Sequence, residues 1–356
     1  MSEKTVRIHR SIDDVNENQW NTLVEQSERG SVFHRTGWLR AVERGLGRPA
    51  RHLVVEKDGN PISVFPNFLV DVGVPDVVPV LSDGLGLKRL ASTDPGFGGP
   101  LFVGDEESNF EVAFEHAERL LSATDAVHHL LKPSGADFAR YTTYLADRGY
   151  RPTVRSCRFV IDLRQGWDAV EEGMARSKRS NLDSARDSPL TVENPPLDES
   201  VLSSFYDAYR AAMDRVDGTT YPFGFFESLA TDLADRVEVF VARLDGEFAG
   251  AQLYLLDDER STVREFFRAI DADYFEHNPT ELLGEAAMKW AIDREYDEYD
   301  LGSTTPDFTD GSFTYKDELG AEIRPVLLWE RGGSAVRWHA YRAGRWLLRN
   351  RDGRKK

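Results

Sequence analysis

The chain has 356 residues, which exceeds the size of one typical hydrophobic core and favours two domains. Its composition, 40% hydrophobic, 11% aromatic and 29% charged, is typical of a folded protein and excludes wholesale disorder. The net charge of −17, with only nine lysines among 44 basic residues, indicates adaptation to a salt-rich solvent that screens the repulsion between acidic side chains.

Several classes of protein lack support in the sequence. No run of about 18 uncharged apolar residues occurs, and the start MSEKTVRIHRS has no signal-peptide pattern, so we expect a cytoplasmic protein. Cys157 is the only cysteine, which excludes an intrachain disulfide. The eight histidines lack the spacing of metal ligands, and we expect no tightly bound cofactor.

Apolar patterns in the first half predict two helices followed by a β-hairpin. The helices fall at residues 15–26 and 36–45, and the hairpin LVVEKDGNPISVF (53–65) turns at Asp58 and Gly59. A helix, a strand, a helix and a strand follow, at residues 107–122, 126–132, 136–148 and 153–163. This half therefore mixes helices with antiparallel strands.

A basic segment connects the two halves. GWDAVEEGMARSKRSNLDSARDS (166–188) predicts one helix, with four cations toward its far end, namely Arg176, Lys178, Arg179 and Arg186. In so acidic a chain, this cluster is either a solvated helix end that complements the helix dipole or a site for a phosphate group. The sequence leaves both interpretations open.

The second half repeats the order of the first. Helices at 199–216 and 223–233 precede the hairpin FVARLDGEFAGAQ (240–252), which aligns with the first hairpin at a constant offset of 187 residues. A strand, a helix and two more strands follow, at residues 261–270, 280–296, 298–302 and 324–330. The repeat predicts two α+β lobes with mixed, largely antiparallel sheets, at residues 1–155 and 156–332.

The end of the chain has the opposite charge. Residues 331–356 carry nine basic residues and one acid, a net +8 that leaves −25 on the rest. The tail, 333–356, predicts an amphipathic helix with an apolar stripe and nearby arginines. The stripe comprises Val336, Ala340, Ala343 and Leu347, and the arginines are Arg337, Arg342, Arg345 and Arg349. We favour packing on the body; contact of 334–356 with RNA or a membrane surface is the alternative.

Six stretches together resemble one known family. In chain order they are SVFHRTGWLRAV, GNPISVFPNFLV, GFGGPLF, RSKRSNLDSA, HNPTELLGEAAMKWAIDREYDEYDLG and GSFTYKDELGAEIRP. They are similar to the FemAB-like branch of the GNAT acyltransferase superfamily over residues 30–330. The resemblance implies two fused GNAT-like lobes and acyl transfer to an amine, since family members include aminoacyl-tRNA-dependent transferases that extend peptidoglycan-precursor peptides.

The most specific part of the resemblance implies a lysine site in the far lobe. The family's Phe-Lys and Phe-Gly pairs match Tyr315-Lys316 and Leu319-Gly320 in this sequence. In the family this lysine lies at the donor carbonyl or phosphate. Tyr315 keeps the aromatic wall that the family's phenylalanine provides, which makes it a candidate substrate-binding residue.

A second part of the resemblance concerns the acceptor groove. The family's basic R-R-N-I step matches residues 179–182 of this chain. Arg179 and Asn181 are therefore candidate substrate-binding residues. Lys178 takes the place of the second arginine as a point charge without a bidentate fork.

The motifs do not fix the acyl donor. Acetyl-CoA-dependent GNATs bind pyrophosphate with an R/Q-x-x-G-x-G/A loop at a helix N-terminus. The stretch DADYFEHNPTELLGEA, where the helix predicted from Thr280 begins, has no such glycine run. The donor is therefore either an aminoacyl-tRNA or an acyl-CoA, and we expect an amine-bearing small molecule or a peptide-like acceptor.

Acyl transfer to an amine needs a polarised carbonyl and a group that accepts one proton. Lys316 is the candidate for the first task, because a desolvated ammonium would stabilise the developing oxyanion. The alternative is a loop lysine that is ion-paired at the surface with Asp310, Asp317 or Glu318. Asp300, at the end of the strand EYDLG, is either a proton acceptor or amine clamp, or a turn cap.

The remaining candidates are weaker. Trp38 either packs a lobe interior or stacks on the acceptor. Gln252, the last residue of the second hairpin stretch, is a candidate substrate contact, and Asn278 and Thr280 are interpreted as helix caps. Two other functions fit the chain: a non-catalytic RNA-binding or scaffold protein, and an envelope-modifying enzyme whose tail binds anionic lipid.

Overall fold

The computed structural model of the protein describes residues 4–72 and 87–352, with side chains as far as residue 343. Two compact units make up the chain. Among the described residues, the first unit takes in those up to 43, 47–154 and those from 326 onward, and the second takes in 44–46 and 155–325. Both units mix helices with mostly antiparallel strands, which confirms the predicted α+β class.

The chain begins in the first unit with β1 (Lys4–His9), α1 (Glu17–Gln26), α2 (Thr36–Leu46), β2 (His52–Lys57), β3 (Asn60–Phe65), β4 (Phe68–Asp71), β5 (Lys88–Ala91), β6 (Leu101–Phe102), α3 (Glu106–Ala123), β7 (His128–Leu131) and α4 (Thr142–Asp147). It continues into the second unit with β8 (Arg151–Asp162), α5 (Trp167–Gly173), α6 (Arg176–Arg186), β9 (Leu190–Glu193), α7 (Glu199–Arg215), α8 (Phe223–Asp232), β10 (Val237–Leu244), β11 (Glu247–Asp257), β12 (Thr262–Ile270), α9 (Pro279–Asp293), β13 (Glu298–Thr304) and α10 (Gly311–Asp317). It returns to the first unit along β14 (Glu322–Gly332) and ends with α11 (Ala335–Asp352).

The first unit contains two sets of strands. One is an antiparallel sheet in the order β1-β2-β3-β6, and the other has the order β4-β5-β7-β14, in which β5 and β7 are parallel. The core between these elements is rich in fully buried aromatic side chains, among them Phe65, Phe114, Tyr150 and Trp329. Such large apolar side chains supply much of a domain's hydrophobic stabilisation.

The second unit contains one sheet in the order β8-β13-β12-β11-β10-β9. Its neighbours are antiparallel except β12 and β13, which are parallel. Helix α9 packs into the core of this unit through Leu283, Ala287 and Ala291, which are fully buried. Their spacing of four residues places them on one face of the helix, so the neighbouring face is available for another role.

Both predicted hairpins are confirmed. β2 pairs with β3 and β10 with β11, with the turns at Asp58-Gly59 and Asp245-Gly246. All four turn residues have positive φ, between 51° and 88°. This backbone matches the twist of tight two-residue hairpins, and Asp-Gly adopts it readily. The repeated supersecondary order of the sequence is therefore present in the structure.

The prediction of a single helix at 166–188 is wrong about its continuity, because the structure has two helices there, α5 and α6. Met174 and Ala175 between α5 and α6 are extended. The N–H of Ala175 donates to the carbonyl of Glu318 at 2.8 Å, so a partner from far along the chain takes the donor that a continuous helix would use. The periodicity of apolar residues carries no information about such a long-range hydrogen bond, so the sequence could not predict the break.

Helix α11 packs on the first unit through aromatic side chains. The rings of Trp338 and Tyr341 lie 5.1 and 5.2 Å from the ring of His128. The predicted apolar stripe is wrong for the described residues, since Val336 is 79% exposed and Ala340 is also exposed. Two aromatic rings three residues apart bury more apolar area than small aliphatic side chains. Three residues of that prediction lie outside the described side chains: Arg345, Leu347 and Arg349. Across the described part of the chain, every helix is too short or too polar to cross a membrane.

Candidate active site

The neighbouring strands β12 and β13 separate partway along their length. They pair in parallel over residues 262–264 and 298–300. Beyond that point β12 continues to pair with β11 and β13 with β8, and the described register between β12 and β13 ends. Gly302 lies at the separation, with a φ of 77°. A Cβ atom on Gly302 would lie 3.4 Å from the carbonyl oxygen of Glu265 and 3.8 Å from Nζ of Lys316. The Lys316 side chain therefore reaches the point at which β12 and β13 separate.

Lys316 lies in the last turn of α10. Asp310 caps the start of this helix by accepting hydrogen bonds from the N–H groups of Ser312 and Phe313. Only 8% of Lys316 is exposed, and its Nζ donates to the carbonyl of Ser303 at 3.4 Å. Within the described part of the chain, no carboxylate forms an ion pair with it. The structure thus places this lysine in a helix and out of solvent, unlike the ion-paired surface lysine of the alternative interpretation.

The surroundings of Lys316 disfavour its charged form. Burial lowers the pKa of Lys316 from its ordinary value, because an ammonium loses its hydration there. Glu265 acts in the opposite direction, Arg268 adds to the lowering, and Asp300 raises the pKa again. An ammonium carries three N–H donors, and the described protein atoms accept one of them. The remaining donors are therefore available to a ligand.

The turn after Lys316 is held by backbone contacts to the connection between α5 and α6. Gly320 has a φ of 77°, and a Cβ atom on it would lie 2.6 Å from the carbonyl oxygen of Gly173. Only glycine fits this approach without a shift of the backbone. Together with the bond from Ala175 to Glu318, this contact fixes the position of the lysine turn. The glycine matched by the family resemblance thus has a structural reason.

Asp300 is surrounded by guanidinium groups. Its Oδ2 accepts from Arg158 Nε at 2.9 Å and from Arg264 Nη1 at 2.6 Å, and its Oδ1 accepts from the N–H of Gly302 at 3.0 Å. Arg264 also pairs with Asp257. Burial raises the pKa of Asp300, but Arg158 and Arg264 outweigh that effect and hold it below its ordinary value. This carboxylate is therefore a weak proton acceptor, and it joins three strands at the point where two of them separate.

A narrow pocket lies beside the separating strands, between helices α6 and α9. Its volume of about 20 Å³ is enough for about one water molecule or a group of similar size. Three of the predicted substrate-binding residues, Lys178, Gln252 and Tyr315, line it together. The other lining residues are Met174, Leu182, Glu265, Thr280, Glu281, Gly284, Met288, Tyr299, Leu301 and Leu319.

Tyr315 forms one wall of this pocket and is flanked by two cations. Nζ of Lys178 lies 4.0 Å from the centre of its ring, and the guanidinium of Arg268 lies 5.0 Å from it. Lys178 is 3.8 Å from Glu281 and 3.7 Å from Glu318, distances of ion pairs without direct hydrogen bonds. Burial raises the pKa of Tyr315, so its hydroxyl stays protonated at neutral pH.

Polar side chains on three strands, some buried and some half-buried, line the pocket or contact residues that line it. The hydroxyl of Tyr299 donates to that of Tyr254 at 3.0 Å, and Tyr254 donates to Oε1 of Gln252. Oε1 of Glu265 accepts from Nε and Nη2 of Arg268, at 3.0 and 2.6 Å. Glu265 thus belongs both to the pocket and to the surroundings of Lys316.

Other predicted residues lie apart from this arrangement. Arg179 and Asn181 are half-buried on α6, and the described lining of the pocket does not include them. Trp38 requires a correction, because it is fully buried in the first unit, with its ring edge-on to Phe33 at 4.9 Å and its Nε1 3.4 Å from Thr93 Oγ1. A ring enclosed in this way has no free face on which an acceptor could stack.

The helix N-terminus where a CoA pyrophosphate would bind has an unsuitable surface here. Helix α9 begins at Pro279, which has no N–H, and the N–H of Glu281 donates to the carbonyl of Asn278 at 3.2 Å. The carboxylate of Glu281 lies in the first turn, where it competes with any phosphate for the helix dipole. The side chain of Asn278 makes no capping bond to this helix, and Thr280 lines the pocket.

Sequence reasoning missed three charged residues of the site. Glu265 and Arg268 lie on β12, and Arg158 lies on β8, all within stretches that read as apolar strands. A signal was present, since charged residues inside a strand that is predicted to be buried are uncommon and mark either a paired network or a site. The spacing of these residues alone did not show whether each one belongs to a paired charge network or to a functional site.

Comparison with known proteins assigns the class. Residues 173–317 match a family model described as Acetyltransferase (GNAT) domain. This range contains the separating strands, Glu265, Lys316 and most of the pocket lining. The second unit therefore carries a GNAT N-acyltransferase domain, as the motifs indicated.

Solved structures extend the likeness to nearly the whole chain. FemX has a TM-score of 0.69 at 15% identity, covering 93% of this chain and 97% of its own. A tandem GNAT protein from the clavulanic acid biosynthesis pathway has a TM-score of 0.59 at 14% identity, and the match covers 93% of this chain and 99% of that protein's chain. L-PGS from Bacillus licheniformis has a TM-score of 0.59 at 14% identity, and the match covers 93% of this chain and 96% of its own chain. These likenesses confirm the tandem GNAT fold and, at the level of fold, the FemAB-like resemblance. No curated protein sequence matches the chain significantly.

Proposed function

We propose that the second unit forms an amide by moving an aminoacyl group from an ester donor to a primary amine. The amine nitrogen attacks the ester carbonyl carbon, the C–N bond forms and the C–O ester bond breaks. One proton passes from the nitrogen to the leaving oxygen. The observation that carries this proposal is the buried ammonium of Lys316, which has one carbonyl partner among the described residues and lies where two strands separate.

Lys316 has the role of stabilising the oxyanion that develops on the ester carbonyl. A preorganised donor in a site of low water content is worth about 3 kcal/mol in the transition state, or roughly 100-fold in rate. Its spare N–H groups and its burial support this role. Because the charged form does the work, the reaction slows as the pH rises through the lowered pKa of Lys316.

Two carboxylates have separate roles in this proposal. Glu265 lines the pocket and acts electrostatically on Lys316, so we assign it to the acceptor amine, which it orients. Arg268 binds its Oε1, so Oε2 is the oxygen that meets the amine. Asp300 is a positioning residue, because two guanidinium groups already bind it and hold its pKa low. It fixes the point at which β12 and β13 separate.

The first turn of α9 favours an aminoacyl-tRNA ester over an acyl-CoA as the donor. A pyrophosphate there would meet the Glu281 carboxylate and would find no N–H at Pro279. An aminoacyl ester presents no pyrophosphate and carries a positively charged α-ammonium. Glu281 then becomes a favourable neighbour of the donor.

Mass spectrometry tests the function directly. The purified protein is incubated with charged tRNA, acetyl-CoA and a set of primary amines, with Lys316→Met in parallel. A new aminoacyl amide that the wild type makes and Lys316→Met does not is the expected product. Acetylated amines alone would transfer the proposal to a CoA donor. The absence of any new amide would contradict the catalytic function and favour an RNA-binding or scaffold role.

A further inference from the structure

Strands β1 and β2 bring two arginines to the same end of the first unit's antiparallel sheet. The register of these strands pairs His9 with His52. The next residues along the two strands are Arg10 and Arg51, so they lie across from each other where the pairing ends. Burial lowers the pKa of Arg51, and the charge of Arg10 lowers it further. Like charges that face each other across two strands are destabilising, so this pair needs a physical reason.

A third arginine comes from the connection between α2 and β2. Arg48 lies three residues before Arg51, and its Nε is buried without a hydrogen-bond partner among the described residues. The carbonyl of Pro49 accepts from the N–H of Leu69 at 2.9 Å. The N–H of Arg51 donates to the carbonyl of Asn67 at 2.7 Å. These bonds fix the backbone that carries Arg48 and Arg51.

The three guanidinium groups lack the partners that other arginines of the unit have. Among the residues that the structure describes, no carboxylate forms an ion pair with Arg10, Arg48 or Arg51. By contrast, Arg40 and Arg89 of the same unit each pair with carboxylates. The chain has 61 acidic residues against 44 basic ones, so carboxylates are plentiful. Half-buried cations that these carboxylates do not compensate indicate a place for an anion from outside the chain.

We propose that Arg10, Arg48 and Arg51 form a binding site for the terminal phosphate of a small molecule. A guanidinium presents its N–H donors as a planar fork, which binds two phosphate oxygens at once. Nη1 of Arg51 donates to the carbonyl of Ala50 at 2.5 Å, which leaves most of its N–H groups unused. A phosphate monoester offers three terminal oxygens and up to two negative charges, so it matches three guanidinium groups better than a carboxylate does.

Charge and placement favour a small ligand over a nucleic acid. The net charge of −17 repels a polyanion along most of the protein surface. The three arginines come from two short segments at one end of a sheet, whereas a nucleic-acid backbone needs cations spread along a groove. All three belong to the first unit and Lys316 to the second, so this inference does not depend on the proposed acyl transfer.

Calorimetric titration of the full-length protein with inorganic phosphate, at constant chloride concentration, tests the site. We expect the wild type to bind phosphate, and Arg51→Met to weaken binding by about tenfold or more, the usual effect of losing a hydrogen bond to a charged group. Arg10→Met should weaken it by a similar factor. Arg51→Lys keeps the charge without the fork, so its affinity should fall between those of Arg51→Met and the wild type.

Two controls separate binding from folding. Arg7→Met removes the same charge from an exposed arginine of β1 that pairs with Glu56, and it should keep the wild-type affinity. Phosphate should raise the unfolding temperature of the wild type but not that of Arg51→Met. Without phosphate, Arg51→Met should unfold at or above the wild-type temperature, because one uncompensated guanidinium is gone. Weaker binding by this variant then cannot come from misfolding.

Further ligands identify the source of the phosphate. Glycerol phosphate should bind at least as tightly as inorganic phosphate, and acetate should bind more weakly than either. Equal affinity for acetate would overturn the assignment to phosphate. Loss of tRNA binding in Arg51→Met, with unchanged binding of glycerol phosphate, would overturn the small ligand in favour of RNA.

Two results would overturn the site altogether. One is a wild type that does not bind phosphate, and the other is an affinity within twofold of wild type in both Arg10→Met and Arg51→Met. Lys316→Met should bind phosphate as the wild type does. A failure of the proposed acyl transfer would therefore leave this result unaffected.

Discussion

Asp300 and Lys316 are both buried charges of the second unit, and the fold treats them in opposite ways. Asp300 accepts hydrogen bonds from two guanidinium groups and one backbone N–H. Lys316 has one carbonyl at 3.4 Å among the described residues. A buried charge that its neighbours compensate supports the structure, whereas one left with unused donors costs stability and is expected only where it serves a ligand.

The largest expected effect comes from removing the compensated charge. Asp300→Ala leaves Arg158 and Arg264 buried without this carboxylate, and we expect the free energy of unfolding to fall by about 3–5 kcal/mol. Urea denaturation measures this change. Asp162→Ala is the matched control, because Asp162 pairs with Arg164 on the surface. Equal effects of the two substitutions would contradict the structural role of Asp300.

Removing the uncompensated charge should affect turnover rather than stability. Lys316→Met keeps the length and apolar stem of the side chain, and we expect turnover to fall roughly 100- to 1,000-fold. The free energy of unfolding should stay the same or rise, since an ammonium no longer has to leave water. Lys57→Met, at an exposed lysine of the first unit, is the control for both measurements. A clear loss of stability in Lys316→Met would show that its ammonium is structural after all.

The next effect concerns the turn that holds the lysine. Gly320→Ala forces a side chain into a left-handed backbone and toward the Gly173 carbonyl, and we expect a loss of about 1–3 kcal/mol together with reduced turnover. Gly311→Ala tests the same helix from its other end, where an added Cβ would meet no atom within 4 Å. Wild-type turnover in Gly320→Ala would contradict the claim that the contact between Gly320 and the Gly173 carbonyl positions Lys316.

The smallest effect is a difference in pH dependence. The pKa of Lys316 is lower in the folded state than its ordinary 10.5, so between these values the unfolded chain binds the additional proton and stability rises with pH. The pKa of Asp300 is also lowered, from 3.8, so its contribution is present above that pH and is lost as the pH falls through the folded value. Unfolding curves from pH 8 to 11 should therefore lose a positive slope in Lys316→Met.

Elements specified by local signals could be predicted from the sequence. The two Asp-Gly turns place residues that tolerate positive φ between apolar strands, and the helices before each hairpin end within a few residues of the predicted positions. In each case the determining residues lie next to one another along the chain. Tyr315 and Lys316 came from a family resemblance carried by adjacent residues, and their functional role stays a prediction.

Features set by distant residues could not be predicted in this way. The break at Met174 and Ala175 depends on a carbonyl more than 140 residues away, at Glu318. The guanidinium groups around Asp300 belong to arginines of β8 and β12. The side chain of Trp38 is enclosed by residues of several elements. Apolar periodicity indicates which face of an element is buried but not which distant group it meets.

The hydrogen bond from Ala175 to Glu318 also bears on how chimeras of this protein should be made. A graft of residues 310–320 alone would leave behind the peptide group that fixes the lysine turn and the Gly173 carbonyl that Gly320 approaches. The smallest transplantable module therefore comprises two discontinuous segments, the α5–α6 connection and the lysine turn, and recombination libraries should inherit both from the same parent.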